Sequence, residues 1–165
     1  MPERPRSGPG VQALLGPYLD THYDVRLPGG ARATLRCGQR VPDSVIEVIG
    51  RTSDAFLITA CNPRSKRLSN AENRLLMQRL LQQVNSAGCQ CLPGVGHVPG
   101  EAWREPLLLL SAIDVDFVDE VARRFDQNAI VSLRPGQPTR LRIYRPCWRR
   151  DMADSLRFEW APEQR

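Results

Sequence analysis

The sequence predicts an α+β domain built on a ferredoxin-like split βαβ unit, with an added C-terminal strand and an N-terminal helix and hairpin. Three observations carry this. From Asp54 onward, apolar strand-like runs and amphipathic helical runs follow one another in the order β-α-β-β-α-β. Each change of period is marked by a proline, a glycine or a capping residue. The composition, 41% apolar and 25% charged over 165 residues, is that of one globular domain with a real core.

Residues 1–10, MPERPRSGPG, are polar and proline-rich and read as a flexible arm. Residues 11–146 form the predicted domain, with the split βαβ core over 54–146. Residues 147–165 make a basic and aromatic C-terminal extension. Within the domain, residues 11–23 read as a short helix interrupted at Pro17. DVRL and ARATLRC then flank Pro28 and Gly30 as a hairpin. Residues 41–50 contain SVIEVIG, β-branched and alternating, which fits neither template cleanly.

The core begins at residues 54–61, DAFLITAC, apolar on both alternating faces as a central strand requires. It stops at Asn62-Pro63, because proline restricts the residue before it and donates nothing to a ladder. Ser69-Asn70-Ala71-Glu72 is a capping-box signature that opens a helix. Its apolar stripe is Leu76, Met77, Leu80, Leu81, Val84 and Ala87, and Gly88 ends it. CQCLPGV is a short strand followed by a Gly/Pro loop through Gly100. EPLLLLSAI is a strand, residues 115–126 a helix presenting Val118, Val121, Ala122 and Phe125, and NAIVSL and TRLRIYR are the last two strands.

No apolar run is long enough to span a bilayer, so the expectation is a cytoplasmic protein without a membrane partner. The net charge of +5 comes almost wholly from arginine, since Lys66 is the single lysine. Such a balance is compatible with an anionic partner. The five cysteines are odd in number and read as free thiols. Cys89 and Cys91 lack further ligands at zinc spacing, and no cofactor motif occurs, so neither a metal nor a cofactor is expected.

The motifs ITACNPRS, SNAEN, WREPLLLLSAI and ARRFDQNAIV together resemble a bacterial domain-of-unknown-function family, number 3293, over about residues 56–131. The matching positions are Thr59, Ala60, Asn62, Pro63, Ser69, Glu72, Asn73, Trp103, Glu105, Phe125, Gln127, Asn128 and Ala129. Leu107 stands where the family often has serine. The resemblance implies no activity.

Strand directions in a split βαβ sheet bring four polar segments to one rim. The predicted ligand-binding set there is Asn62, Arg64, Arg67, Asn73, Trp103, Glu105, Gln127 and Asn128. Free amides at the helix start, the cations Arg64, Lys66 and Arg67, and Trp103 are a chemistry for a small anion. Asn73, at the edge of the apolar stripe, needs a partner, most simply the backbone of residues 62–64. Glu105 is either an edge carboxylate in solvent or a partner for Arg64, Arg67 or Arg74, and of these Arg64 or Arg67 is expected to approach it. With no hydrolase, nucleotide-binding or metalloprotease motif and only His22 and His97 as histidines, Glu105 is the one candidate general acid/base, with Asn62 and Asn73 assisting.

A second reading places nucleic acid on the C-terminal run. Arg140, Arg142, Arg145, Arg149 and Arg150 interleave with Tyr144 and Trp148, and cations beside stacking rings are what single strands require. Against it stands the simpler reading of a solvated strand face in an arginine-rich protein.

Overall fold

An eight-stranded sheet with helices on both faces organises the chain in a computed structural model, which describes residues 11–151 and 156–164. Side chains are described within these except at residues 11–14, 150 and 151. The predicted arm, residues 1–10, lies outside the described residues.

The strands are β1 (His22–Arg26), β2 (Arg32–Leu35), β3 (Ala55–Ile58), β4 (Gln90–His97), β5 (Arg104–Ser111), β6 (Ala129–Leu133), β7 (Arg140–Ile143) and β8 (Phe158–Trp160). The helices are α1 (Val11–Asp20), α2 (Asp43–Ile49), α3 (Asn70–Ser86) and α4 (Val115–Arg124). The sheet order is β2-β1-β4-β5-β3-β6-β7-β8. β3 is antiparallel to both its neighbours, β5 and β6, and β4 is antiparallel to β5.

Burial on both faces explains why β3 reads as a continuous apolar run. Ala55 and Leu57 join one core with α2, while Phe56 and Ile58 join another with α3 and α4. Leu107 and Leu109 of β5 serve the first core and Leu108 and Leu110 the second. Deep burial of this many large side chains supplies the main favourable term of folding.

Four elements differ from expectation. α1 runs through Pro17 without a break. The SVIEVIG segment is helix α2, entered at Pro42 and left at Gly50 with φ 96°. Val45, Ile46 and Ile49 are its buried residues, so their packing onto the first core outweighs the mild helix aversion of β-branched side chains. β4 is longer than CQCLPGV and runs to His97. Gly94 permits this, since a Cβ there would stand 2.7 Å from the Asp24 carbonyl oxygen on β1. The C-terminal extension contributes β8, parallel to β7, so the sheet continues past residue 146.

The stripe of α3 is narrower than its sequence pattern. Leu80 and Val84 are buried, Leu76 and Met77 half-buried, and Leu81 stays 41% exposed. That leaves an apolar flank beside the first half of β5, where the candidate site lies.

Candidate functional site

β3 ends where the backbone turns sharply. Asn62, Arg64 and Ser65 have φ of 48°, 54° and 58°, the left-handed region that is costly for residues with a Cβ. The surroundings hold them there. Arg64 N–H donates to the Asp126 carbonyl (2.9 Å), and Gln127 Nε2 donates to the Cys61 carbonyl (3.1 Å). Asn128 Nδ2 donates to Ser65 Oγ (3.0 Å), which also bonds the Tyr18 hydroxyl of α1 (3.1 Å). Three successive residues before β6 thus fasten residues 61–65.

The side chain of Asn62 is engaged at both its oxygen and its nitrogen. Its Oδ1 accepts from Leu68 N–H (2.9 Å) and Asn73 Nδ2 (3.0 Å), while Asn73 Oδ1 accepts from Asn62 N–H (2.9 Å). Its Nδ2 donates to Glu105 Oε2 (2.7 Å). Asn73 therefore braces residue 62, as its place on α3 requires, and reaches Glu105 only through Asn62. The capping box fixes the height of Asn73. Ser69 Oγ accepts from Glu72 N–H (3.2 Å), and Glu72 Oε2 accepts from Ser69 N–H (2.9 Å).

Glu105 is half-buried at the start of β5. Burial pushes its carboxyl up to about 7, and the Asn62 amide pulls it only part of the way back. The expected approach of Arg64 or Arg67 does not occur. Arg64 pairs with Asp126, which Arg145 Nη2 also contacts (3.0 Å), because the left-handed turn at Arg64 carries its side chain toward α4. Arg67 is exposed. The start of α3 is likewise not a ready anion site, since the Ser69 hydroxyl already takes the Glu72 N–H and the Glu72 carboxylate takes the Ser69 N–H, placing a negative charge there.

A groove of about 390 Å³ opens beside Glu105. Met77, Leu81, Pro106 and Leu108 wall it, and Asn62, Asn73, Arg74 and Arg104 supply its polar edge. Arg104 is held in place by Nη1 donating to the Glu101 and Trp103 carbonyls (3.1 and 2.9 Å). Asn62, Asn73 and Glu105 thus face the groove, whereas Arg64, Arg67, Trp103, Gln127 and Asn128 are not among its lining residues. Gln127 lines a separate groove of about 420 Å³ with Arg123, Tyr144 and Arg145. Trp103 is 36% exposed and stands over Gly96. Arg104, although it adjoins Glu105, is not expected here from the sequence, and Arg74 is expected only as a partner for Glu105, not among the cations of the anion site. The expected cations lie in the basic loop, not beside Asn73 and Glu105.

The C-terminal run is placed differently from a nucleic-acid surface. Arg142 is buried and donates to both Asp119 oxygens (2.7 Å each) and to Glu159 (3.1 Å). The Tyr144 hydroxyl donates to Asp119 Oδ1 (2.7 Å), and Trp148 sits in the first core. Burial and the neighbouring Asp119 push the Tyr144 phenol well up, so it stays protonated. Arg140 bonds Gln137 (2.6 Å), Arg145 bonds Asn128 (2.7 Å), and Arg149 lies over the Trp160 ring. The Arg150 side chain lies outside the described residues. Buried rings cannot stack on bases, so this arrangement corrects the expectation for Arg142, Tyr144 and Trp148.

Among the described residues no three His, Cys, Asp or Glu side chains are grouped to hold a metal, and no helix is long and apolar enough to cross a membrane. No curated protein and no solved structure matches the chain. Its residues 58–130, from the last residue of β3 into β6 and including every predicted rim residue, match the family described as Protein of unknown function (DUF3293).

Proposed function

We propose that this is a small-ligand-binding domain, regulatory in character, whose site is the groove between α3 and the start of β5. The observation that carries the reading is Glu105, a half-buried carboxyl held by one neutral amide beside a groove with apolar walls and two guanidinium groups. Pockets of this size with few convergent polar groups are where small molecules bind. Arg74 and Arg104 suit an anionic group, and Met77, Leu81 and Leu108 suit an apolar body. The order and antiparallel pairing of β4, β5, β3 and β6, with α3 and α4 packed on one face, support reading the frame as a ferredoxin-like split βαβ unit. The free thiols suit a cytoplasmic, reducing setting.

Thermal-shift titration with a panel of small carboxylates and phosphates tests the reading. Stabilisation by at least one anion is expected, with an apparent Kd at least tenfold weaker in Arg74→Gln, a substitution on an exposed helical position. Equal binding by that variant would move the site elsewhere.

A carboxyl poised near 7 is also in the range of a general acid/base, which favours a second reading in which the groove turns over its ligand. Asn62 would then orient the catalytic carboxyl, with Asn73 acting through Asn62.

A further inference from the structure

Resting on the groove as the ligand site, we infer that it takes a small organic acid together with one proton, the ligand carboxylate sharing that proton with the Glu105 carboxyl. The charge arrangement leads there. Glu105 Oε2 accepts from Asn62 Nδ2, and among the described residues no guanidinium, ammonium or imidazole is bonded to the carboxyl. The titratable groups around it come from five elements. Arg74 of α3 and Arg104 of β5 line the same groove. Cys61 follows β3, and its thiol is pushed up to about 11, chiefly by burial. Tyr18 of α1 and Tyr23 of β1 are phenols raised by burial, and both stay neutral. Across the strand pair from Arg104, His97 is turned to Asp24 (2.8 Å), and Arg64 is turned to Asp126. Once an anion enters, the negative charges of ligand and Glu105 therefore share an apolar-walled groove, Glu105 itself half-buried, with two guanidinium groups at its edge.

Two carboxylates that close cannot both stay ionised, so the pair retains one proton between them. The balance is simple: ligand carboxylate, Glu105 carboxylate and one proton from solvent give a hydrogen-bonded carboxyl–carboxylate pair, and no covalent bond forms or breaks. Burial already holds the Glu105 carboxyl at about 7, which makes this proton inexpensive near neutrality. The apolar wall of Met77, Leu81 and Leu108 asks for a hydrocarbon body behind the acid, not a second charge.

Calorimetric titration of the full chain with 4-methylpentanoate and benzoate, at pH 6 and pH 8 in buffers of different ionisation enthalpy, tests this. Expected are uptake of close to one proton at pH 8 and an affinity falling by about tenfold per pH unit above 7. In Glu105→Gln the affinity should be nearly flat between pH 6 and 8. The proton count is read on the unmodified protein, so it stands even if that variant folds poorly. Binding with no proton uptake and equal affinity at both pH values overturns this inference and leaves the groove reading intact. Tighter binding of 4-methylpentylamine than of the acid overturns it as well. If neither acid binds in the millimolar range while a phosphate does, the organic-acid assignment is wrong; if no anion binds, the groove reading falls with it.

Discussion

Asp119 and Glu105 are both carboxylates withdrawn from bulk water, one on the buried face of α4 and the other at the rim beside α3, and they are held in opposite ways. Asp119 receives both arms of the Arg142 guanidinium and the Tyr144 hydroxyl, and Glu159 completes the cluster from β8. Every strong hydrogen-bonding direction is spent inside the fold. Glu105 receives one amide and borders a groove. A carboxylate saturated by a fork of charge-assisted donors is a fastening. One left short of donors, with its proton near neutrality, is free to interact with something that arrives.

The harshest way to break this contrast is Arg142→Leu. Asp119, at a side-chain exposure of 3%, would then be left without its cation, and Glu159, at 13%, would keep only Arg134 at 3.5 Å. Removing one partner of a buried pair costs about 3–5 kcal/mol, most of it the penalty on the stranded charge. Denaturant unfolding should read that loss, and amides of β8 should lose exchange protection first, because Arg142 ties Glu159 to β7. A cost below about 1 kcal/mol would mean that Asp119 finds water or a proton as readily as Glu105 does, and the distinction would collapse.

The rim makes the reverse prediction through pH. The folded carboxyl of Glu105 titrates at about 7, against 4.5 for an unperturbed glutamate. Between those values the folded chain holds a proton that the unfolded chain has released, so stability falls as pH rises through this window. Below 4.5 both forms are protonated and the effect vanishes. Relative to Glu105→Gln, the wild-type protein should therefore lose roughly 1–3 kcal/mol between pH 4.5 and 8, a range reduced for partial solvent access. Denaturation curves at four pH values would show it. Parallel stability profiles for the two proteins would place Glu105 in ordinary solvent and remove its distinction.

The two regions also differ in how far they were legible. The rim could be read because its residues sit at element ends, where a polar side chain departs from a strong apolar pattern. Asn62 follows an apolar strand, Asn73 borders an apolar stripe, and Glu105 opens an apolar run. The Asp119–Arg142 cluster could not be read that way. Arg140, Arg142 and Tyr144 alternate opposite Leu141 and Ile143, a pattern that reads as a wet face unless its covering element is known. The clue lay in α4, where Asp119 falls between Val118 and Val121 among buried positions. α2 was illegible for a related reason, since tertiary burial chose the helix over the local preference of its β-branched residues. Partner choice for Arg64 was beyond sequence, because it depends on a left-handed turn that no glycine announces.

That turn gives the smallest and most discriminating test. In Arg64→Gly the Arg64–Asp126 pair is lost, but its side chains are 60% and 37% exposed, and such pairs contribute about 0–1 kcal/mol. Glycine adopts φ 54° without the roughly 1 kcal/mol that a Cβ costs there. The Arg64 N–H to Asp126 carbonyl bond, which fixes the loop, belongs to the backbone and survives the substitution. Gain and loss nearly cancel, so the thermal midpoint should move by no more than about 4 °C in either direction. The Glu105 titration, followed by carbon-13 NMR of its carboxyl, should coincide with wild type, since Arg64 serves Asp126. An upward move of the Glu105 midpoint would show that Arg64 does reach the carboxylate, and the rim would then resemble the saturated cluster after all.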